Sequence, residues 1–175
     1  MPNVARFGVV PPEPARVAAL DVLAPAMQRA VARVLDDVEA ATGARPRVFE
    51  TVRTDERQRF LYGFGRAYDD GRGRVTGVAT ARGGWHFYGL AVDCIHPTRA
   101  WDAPRAWWLA LGGAYARHGL RWGADWNANG RTDDETFLDF PHGQWGRCKV
   151  SPSALSRTLH AAGGNPAVWR AVRAL

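Results

Sequence analysis

The chain has 175 residues, 46% of them hydrophobic and 23% charged, the composition of a single folded domain rather than of a disordered chain. No apolar run approaches the roughly 18 residues of a membrane span. The proline-bearing start MPNVARFGVVPPEPAR lacks the apolar stretch of a secretory signal, so synthesis in the cytoplasm without a signal peptide is expected. The net charge of +6 makes nucleic acid and the anionic bacterial envelope candidate partners. With no dense Lys/Arg run, a solvated basic surface is the simplest reading, and no nucleic-acid partner or membrane insertion is expected. Cys94 and Cys148 are too few for a disulfide scaffold and are read as buried free thiols.

In chain order, residues 1–16 form an extended lead-in, because Pro11, Pro12 and Pro14 forbid a regular helix. Met27, Val31, Val34, Leu35 and Val38 recur at helical spacing between Pro25 and Thr42, and Gly43 is a stop signal. Residues 47–52 read as a short strand. Thr54 opens a second helix, TDERQRFLYGFGR, with Asp55 and Glu56 favourable in its first turn and Phe60, Leu61 and Phe64 on its apolar face. Residues 67–84 hold five glycines and many charges, which predicts a long loop with one short strand near Val75. A helix follows over Pro104–His118, then strands at Leu120–Trp122 and Phe137–Trp145. Two short helices close the chain, started by Ser151 or Ser153 and by Asn165-Pro166. The irregular segregation of helices and strands predicts an α+β fold with a small antiparallel sheet flanked by helices, in one domain spanning 1–175.

The stretch GGWHFYGLAVD, from Gly83 to Asp93, carries the first chemical signal. In a continuous strand His86 and Asp93 would point to opposite faces, but Gly89 between them permits a bend that brings them together. Imidazole plus carboxylate is a partial zinc ligand set that still needs a third protein ligand and an open position. The second signal is FLDFPHGQW, where His142 is the candidate third ligand and Asp139 stands three residues earlier. A carboxylate so placed can lie beside a metal without binding it and take a proton from an activated water. Pro141 puts the pair in a turn or extended segment. His96, His118 and His160 lack such surroundings and are read as structural or exposed.

HFYGLAVD resembles the His-x6-Asp half, and DFPH the Asp/Glu-x-x-His half, of the zinc peptidases that cut peptidoglycan stem peptides. That group includes the D-alanyl-D-alanine carboxypeptidases, the vancomycin-resistance dipeptidases and the L-alanyl-D-glutamate peptidases of phage endolysins. The similarity runs from Phe49 to Trp145 and takes in TVRTDERQRFLYGFGR and GLRWGADW. The resemblance implies a zinc D,D-peptidase/hedgehog-like fold, with Zn2+ on the sheet held by His86, Asp93 and His142 and with Asp139 as catalytic base. It sets Arg53 facing the substrate, as oxyanion stabiliser or carboxylate clamp, with a salt bridge as the plainer alternative. Gln58, Tyr62 and Trp145 fall at substrate-binding positions, although Gln58 and Tyr62 also suit a role in fixing the helix. Many members have serine where this chain has Gly84.

One further motif stands out. Asp125, Asn127 and Asn129 before Gly130 reproduce the opening of a calcium loop, with Arg131 and Glu135 as the remaining candidate positions, but Glu135 comes one residue early. The alternative is a polar turn between two strands. Taken together, the expectation is a monomeric zinc metallopeptidase of endolysin type, acting on the L-alanyl-D-glutamate bond of the wall after holin-assisted release, with Ca2+ as a candidate second ion. The competing expectations are a D-alanyl-D-alanine carboxypeptidase or dipeptidase, and a non-catalytic wall-binding or calcium-binding module.

Overall fold

The computed structural model describes residues 7–175; residues 1–6, the start of the predicted lead-in, lie outside the described residues. The fold is α+β: a four-stranded antiparallel sheet with four helices.

Helix α1, Pro25–Thr42, forms as its periodicity predicts. Pro25 sits in the first turn, Met27, Val31, Val34, Leu35 and Val38 are buried, and Gly43 closes the helix at φ 71° by donating its N–H to Glu39 O at 2.8 Å. Strand β1, Arg47–Glu50, leads to α2, Asp55–Gly63, which is capped by the Thr54 hydroxyl accepting from the Arg57 N–H at 3.1 Å. Phe60, Leu61 and Phe64 form a separate small cluster with Val10 and Tyr68, which ties the lead-in to α2.

The strand predicted near Val75 does not form. Apart from an isolated bridge at Tyr68, residues 67–84 contain only a 3-10 turn, Ala81–Gly83, and Val75 is 39% exposed, with no apolar neighbour in alternation to hold it on a sheet. A second 3-10 turn, Trp85–Tyr88, then runs into β2, Ala91–Ile95, whose five residues are all buried. Helix α3, Arg105–Arg117, packs against α1, and β3, Leu120–Trp122, follows it. The strand expected over Phe137–Trp145 is shorter: only His142–Trp145 pairs, as β4, because Pro141 has no N–H for a ladder and 139–142 folds into a turn. The closing segment α4, Ala154–Ala171, is two helices broken at Gly163 and Gly164, and Ser153 caps the first.

The strand order is β1-β2-β4-β3, every pair antiparallel. Two details of register position the site. Between Val48 and Glu50 the β1–β2 pairing slips by one residue, a bulge at Phe49 that sets Glu50 across from Asp93. On the other side of β2, Asp93 pairs with His142 of β4. Glu50, Asp93 and His142 thus form one row across three strands. The opposite face of the sheet meets the helical layer: a side chain at Gly143 would collide with the Tyr115 ring of α3, its Cβ 2.6 Å from Cε1.

Candidate metal centre

His86 lies in the 3-10 turn Trp85–Tyr88, and Gly89 ends that turn in the left-handed conformation, φ 65° and ψ 30°. This is the bend expected between His86 and Asp93. It reverses the chain so that the histidine lies over the strand that carries the aspartate. A side chain at Gly89 would also meet Val22 O at 2.9 Å, so both backbone angle and space call for glycine.

The three donor atoms form a near-equilateral triangle. His86 Nε2 lies 3.2 Å from His142 Nδ1, His142 Nδ1 lies 3.2 Å from Asp93 Oδ1, and Asp93 Oδ1 lies 3.2 Å from His86 Nε2. Four ligands at zinc's usual bond length of about 2.0 Å make a tetrahedron with edges of roughly 3.3 Å, so three donors already stand at tetrahedral spacing. The tautomers agree with that use. His86 Nδ1–H donates to Thr51 O at 2.6 Å, and His142 Nε2–H donates to Gln144 Oε1 at 3.2 Å, which in the neutral imidazoles leaves both inward nitrogens as lone pairs. Two lone pairs and a carboxylate oxygen then face one another, an arrangement that a cation satisfies. The three residues are buried, and they are the one group of three or more His, Cys, Asp or Glu side chains among the described residues that could hold a metal ion.

Outer contacts fix these three side chains. Gln144 Nε2 donates to Lys149 O at 2.9 Å, which orients the amide for His142. The Thr51 N–H and hydroxyl both donate to Val17 O, at 2.7 and 3.0 Å, so the segment just after the lead-in steadies the carbonyl that holds His86. Arg53 Nη2 donates to Asp93 Oδ2 at 3.1 Å and leaves Oδ1 facing the histidines. Burial alone would raise the Asp93 pKa, but the charge and hydrogen bonds of His86 and His142, with Arg53 beside them, hold it well below the usual carboxylate range. For His142, burial works downward, yet the Asp93 hydrogen bond and the Asp139 charge win and raise its pKa.

Asp139 shares the cleft with the triad. Its N–H donates to Gly123 O at 2.8 Å and its carbonyl accepts the His142 N–H at 3.1 Å, while the Gly123 N–H donates to His142 O at 2.8 Å. Burial pushes its carboxyl up, opposed by the charge of His142, and the Arg53, His86 and Asp93 charges also act on it. A half-buried carboxylate with a raised pKa, beside the triad rather than in it, is suited to accept a proton.

Arg53 lies in the cleft wall, but most of its donors are engaged: Nε to Glu50 Oε2 at 2.7 Å, Nη2 to Asp93, and Nη1 to Gln58 Oε1 at 3.3 Å. Gln58 also lines the cleft and donates to Val78 O, pinning the loop before the His86 turn. Tyr62 is elsewhere, stacked beneath the Arg66 guanidinium at 3.8 Å. Trp145 is on the other face of β4 and donates from Nε1 to Val172 O at 2.9 Å, so neither aromatic belongs to the cleft lining. Gly84 lines the cleft with ordinary angles, φ −124° and ψ 152°, and a Cβ there would come no closer than 3.8 Å to anything, so nothing in the packing demands glycine.

The candidate calcium residues form an exposed turn. Asp125 accepts from the N–H groups of Asn129 and Gly130 at 2.9 Å each, Asn129 Oδ1 accepts from the Arg131 N–H at 2.9 Å, and Glu135 Oε1 accepts from the Asn127 N–H at 3.0 Å. Arg131 pairs with Asp133 at 3.0 Å. These oxygens accept the loop's own N–H groups, and Trp126 at its base lies 5.5 Å from the His142 ring, centroid to centroid.

The cleft has a volume of about 1030 Å³ and is walled by Phe49 and Trp101 on the β1 side and by Trp126 and Phe137 near His142. Sequence reasoning missed Glu50, Thr51, Gln144 and Gly123 as supports of the site. Gln144 was within reach, since in a strand it shares a face with His142 two residues earlier; Thr51 acts through its backbone and leaves no such signal. Neither the family models nor the curated proteins compared with this sequence give a match.

Proposed function

We propose that this protein is a zinc-dependent peptidoglycan peptidase of endolysin type that hydrolyses the L-alanyl-D-glutamate bond of the stem peptide. The observation that carries the reading is the 3.2 Å triangle of His86, Asp93 and His142 with the Asp139 carboxyl beside it. The resemblance of HFYGLAVD and DFPH to the zinc peptidases of the cell wall supplies the substrate class. A zinc ion bound by these three side chains would lower the pKa of a water to about 7 and polarise a carbonyl oxygen. Asp139 accepts the proton of the attacking water on a carboxylate oxygen and passes it to the leaving amine nitrogen. Arg53 fixes Asp93 from the cleft wall. The cleft volume of about 1030 Å³ is at the top of the ~300–1,000 Å³ usual for small-ligand pockets, which suits a peptide in a wall fragment better than a small metabolite.

Digestion of purified sacculi with zinc-loaded and with chelator-treated protein, read by mass spectrometry, tests the proposal. Free stem peptides beginning at D-glutamate, released only by the zinc-loaded protein, are expected. Release of D-alanine alone would turn the assignment to a D,D-carboxypeptidase, and intact sacculi would overturn the enzymatic reading.

A further inference from the structure

We propose that Glu50 is a positioning residue for the metal centre: it holds the Arg53 guanidinium against Asp93 so that one oxygen of Asp93 stays turned to the ion. The inference rests on the reading of His86, Asp93 and His142 as a metal site.

Glu50 is an acid inside the strand-like run RVFETV, and its side chain is 1% exposed. A carboxylate is not left there without full compensation, because an unpaired buried charge is among the costliest groups in a fold. Both of its oxygens are engaged. Oε2 accepts from Arg53 Nε at 2.7 Å and lies 2.6 Å from Nη2, while Oε1 accepts from Arg57 Nε at 2.9 Å. The bulge at Phe49 brings Glu50 to this point, across from Asp93 in the ladder. Without that extra residue Glu50 would fall on the opposite face.

The two arginines divide the work. Arg57 is 3% exposed and pairs also with Glu13 of the lead-in at 2.8 Å, so that half of the network ties the N-terminal segment down. Arg53 faces the centre, and its Nη2 bridges Glu50 and Asp93. An arginine touching a metal ligand poses two difficulties. It competes with the ion for the ligand's charge, and it repels the ion. Glu50 answers both. It offsets the charge of Arg53, and through two contacts to one guanidinium edge it fixes the angle at which Arg53 meets Oδ2 of Asp93, leaving Oδ1 at 3.2 Å from both histidine nitrogens.

The test is zinc affinity of the full chain, by competition with a chromophoric chelator, together with melting of the metal-free protein. Glu50→Gln keeps size and loses charge; its zinc affinity is expected to fall 10–100-fold, the usual effect of removing a support of a metal ligand. Arg57→Gln breaks the other half of the network and is expected to lower the melting temperature of the metal-free protein while leaving zinc affinity within threefold of wild type. Glu50→Gln within threefold of wild type overturns the inference, and so does an equal loss in Arg57→Gln, which would mean that any damage to the network acts alike. A wild-type chain with no zinc affinity overturns the metal reading and this inference together. If Glu50→Gln does not fold, Glu50→Asp, which keeps the charge and withdraws it by one methylene, carries the same threefold criterion.

Discussion

At the scale of single residues, three carboxylates close together meet different fates. Asp93 stays ionised because two histidines and Arg53 face it, whereas Asp139 is half-buried with weaker compensation and its pKa rises. Glu50 is locked between two arginines. Of Asp93 and Asp139, only Asp139 is shifted toward taking up a proton, which is what the proposed base needs. Asp139→Asn is expected to retain one zinc per chain by metal analysis and to lose roughly 10²–10⁴-fold in the rate of stem-peptide cleavage. Wild-type cleavage by that variant would remove Asp139 from the chemistry, and loss of zinc would make it a ligand. The cysteines stand apart from this chemistry. Both thiols are free and buried, and burial raises each pKa to about 12, so neither is a nucleophile near neutral pH.

At the scale of elements, the site depends on places where regular structure stops. Gly89 turns the His86 segment back over β2, the bulge in β1 delivers Glu50, and the 139–142 turn is laced to Gly123. A Cβ at Gly123 would lie 2.4 Å from Asp139 O and 2.9 Å from His142 Cβ, with backbone rather than a flexible side chain in the way. Gly123→Ala is therefore expected to push the turn outward and weaken zinc binding at least tenfold, with far-ultraviolet circular dichroism unchanged; an affinity equal to wild type would show that the turn accommodates the methyl group. The helical layer has its own tie. Asp37 of α1 takes hydrogen bonds from His118 and Arg117 at the end of α3, at 3.0 and 3.1 Å, and the His118 bond followed by that of Arg117 lowers its pKa below the usual 3.8. A depressed native pKa means that the unfolded chain takes up the proton first. The tie is thus complete above pH 3.8 and is lost as pH falls through the native value. Asp37→Asn should flatten the acid limb of stability against pH in that window and change little near neutrality. An acid-unfolding profile superimposable on wild type would mean that this exposed tie contributes nothing.

At the scale of the whole molecule, the metal would act as a cross-link. Its three ligands come from the turn before β2, from β2 and from β4, which the unfolded chain separates by up to 56 residues. A ligand that binds only the native state stabilises it by mass action, about 4 kcal/mol at a thousandfold excess over its Kd. For a chain of this size that corresponds to a rise of roughly 8–16 °C in melting temperature. Zinc addition to chelator-treated protein should give that rise, and His142→Ala should abolish it. A metal-independent melting curve in the wild type would count against occupancy of the centre. Among the described residues no helix is long and apolar enough to cross a membrane.

Local patterning was enough for the parts of this protein that local chemistry controls. The periodicity between Pro25 and Thr42, the Thr54 cap, the break at Gly163–Gly164 and the bend at Gly89 each follow from residues within a few positions of one another. The group His86, Asp93 and His142, which could hold a metal ion, and Asp139 in the same cleft were legible too, because metal chemistry restricts which side chains can be used and the resemblance put them together. Pairing decided the rest. Val75 had strand character and no partner strand, and Phe137–Pro141 lost its ladder to a turn. Trp145 was one residue of register away from the face that carries His142 and Gln144. Whether a polar residue faces the centre depends on a bulge, a register and a backbone carbonyl, and these are fixed only when distant strands meet. For that reason the sequence by itself determined the chemistry available to this protein, and the tertiary structure alone decided that Glu50, Thr51 and Gly123 support it.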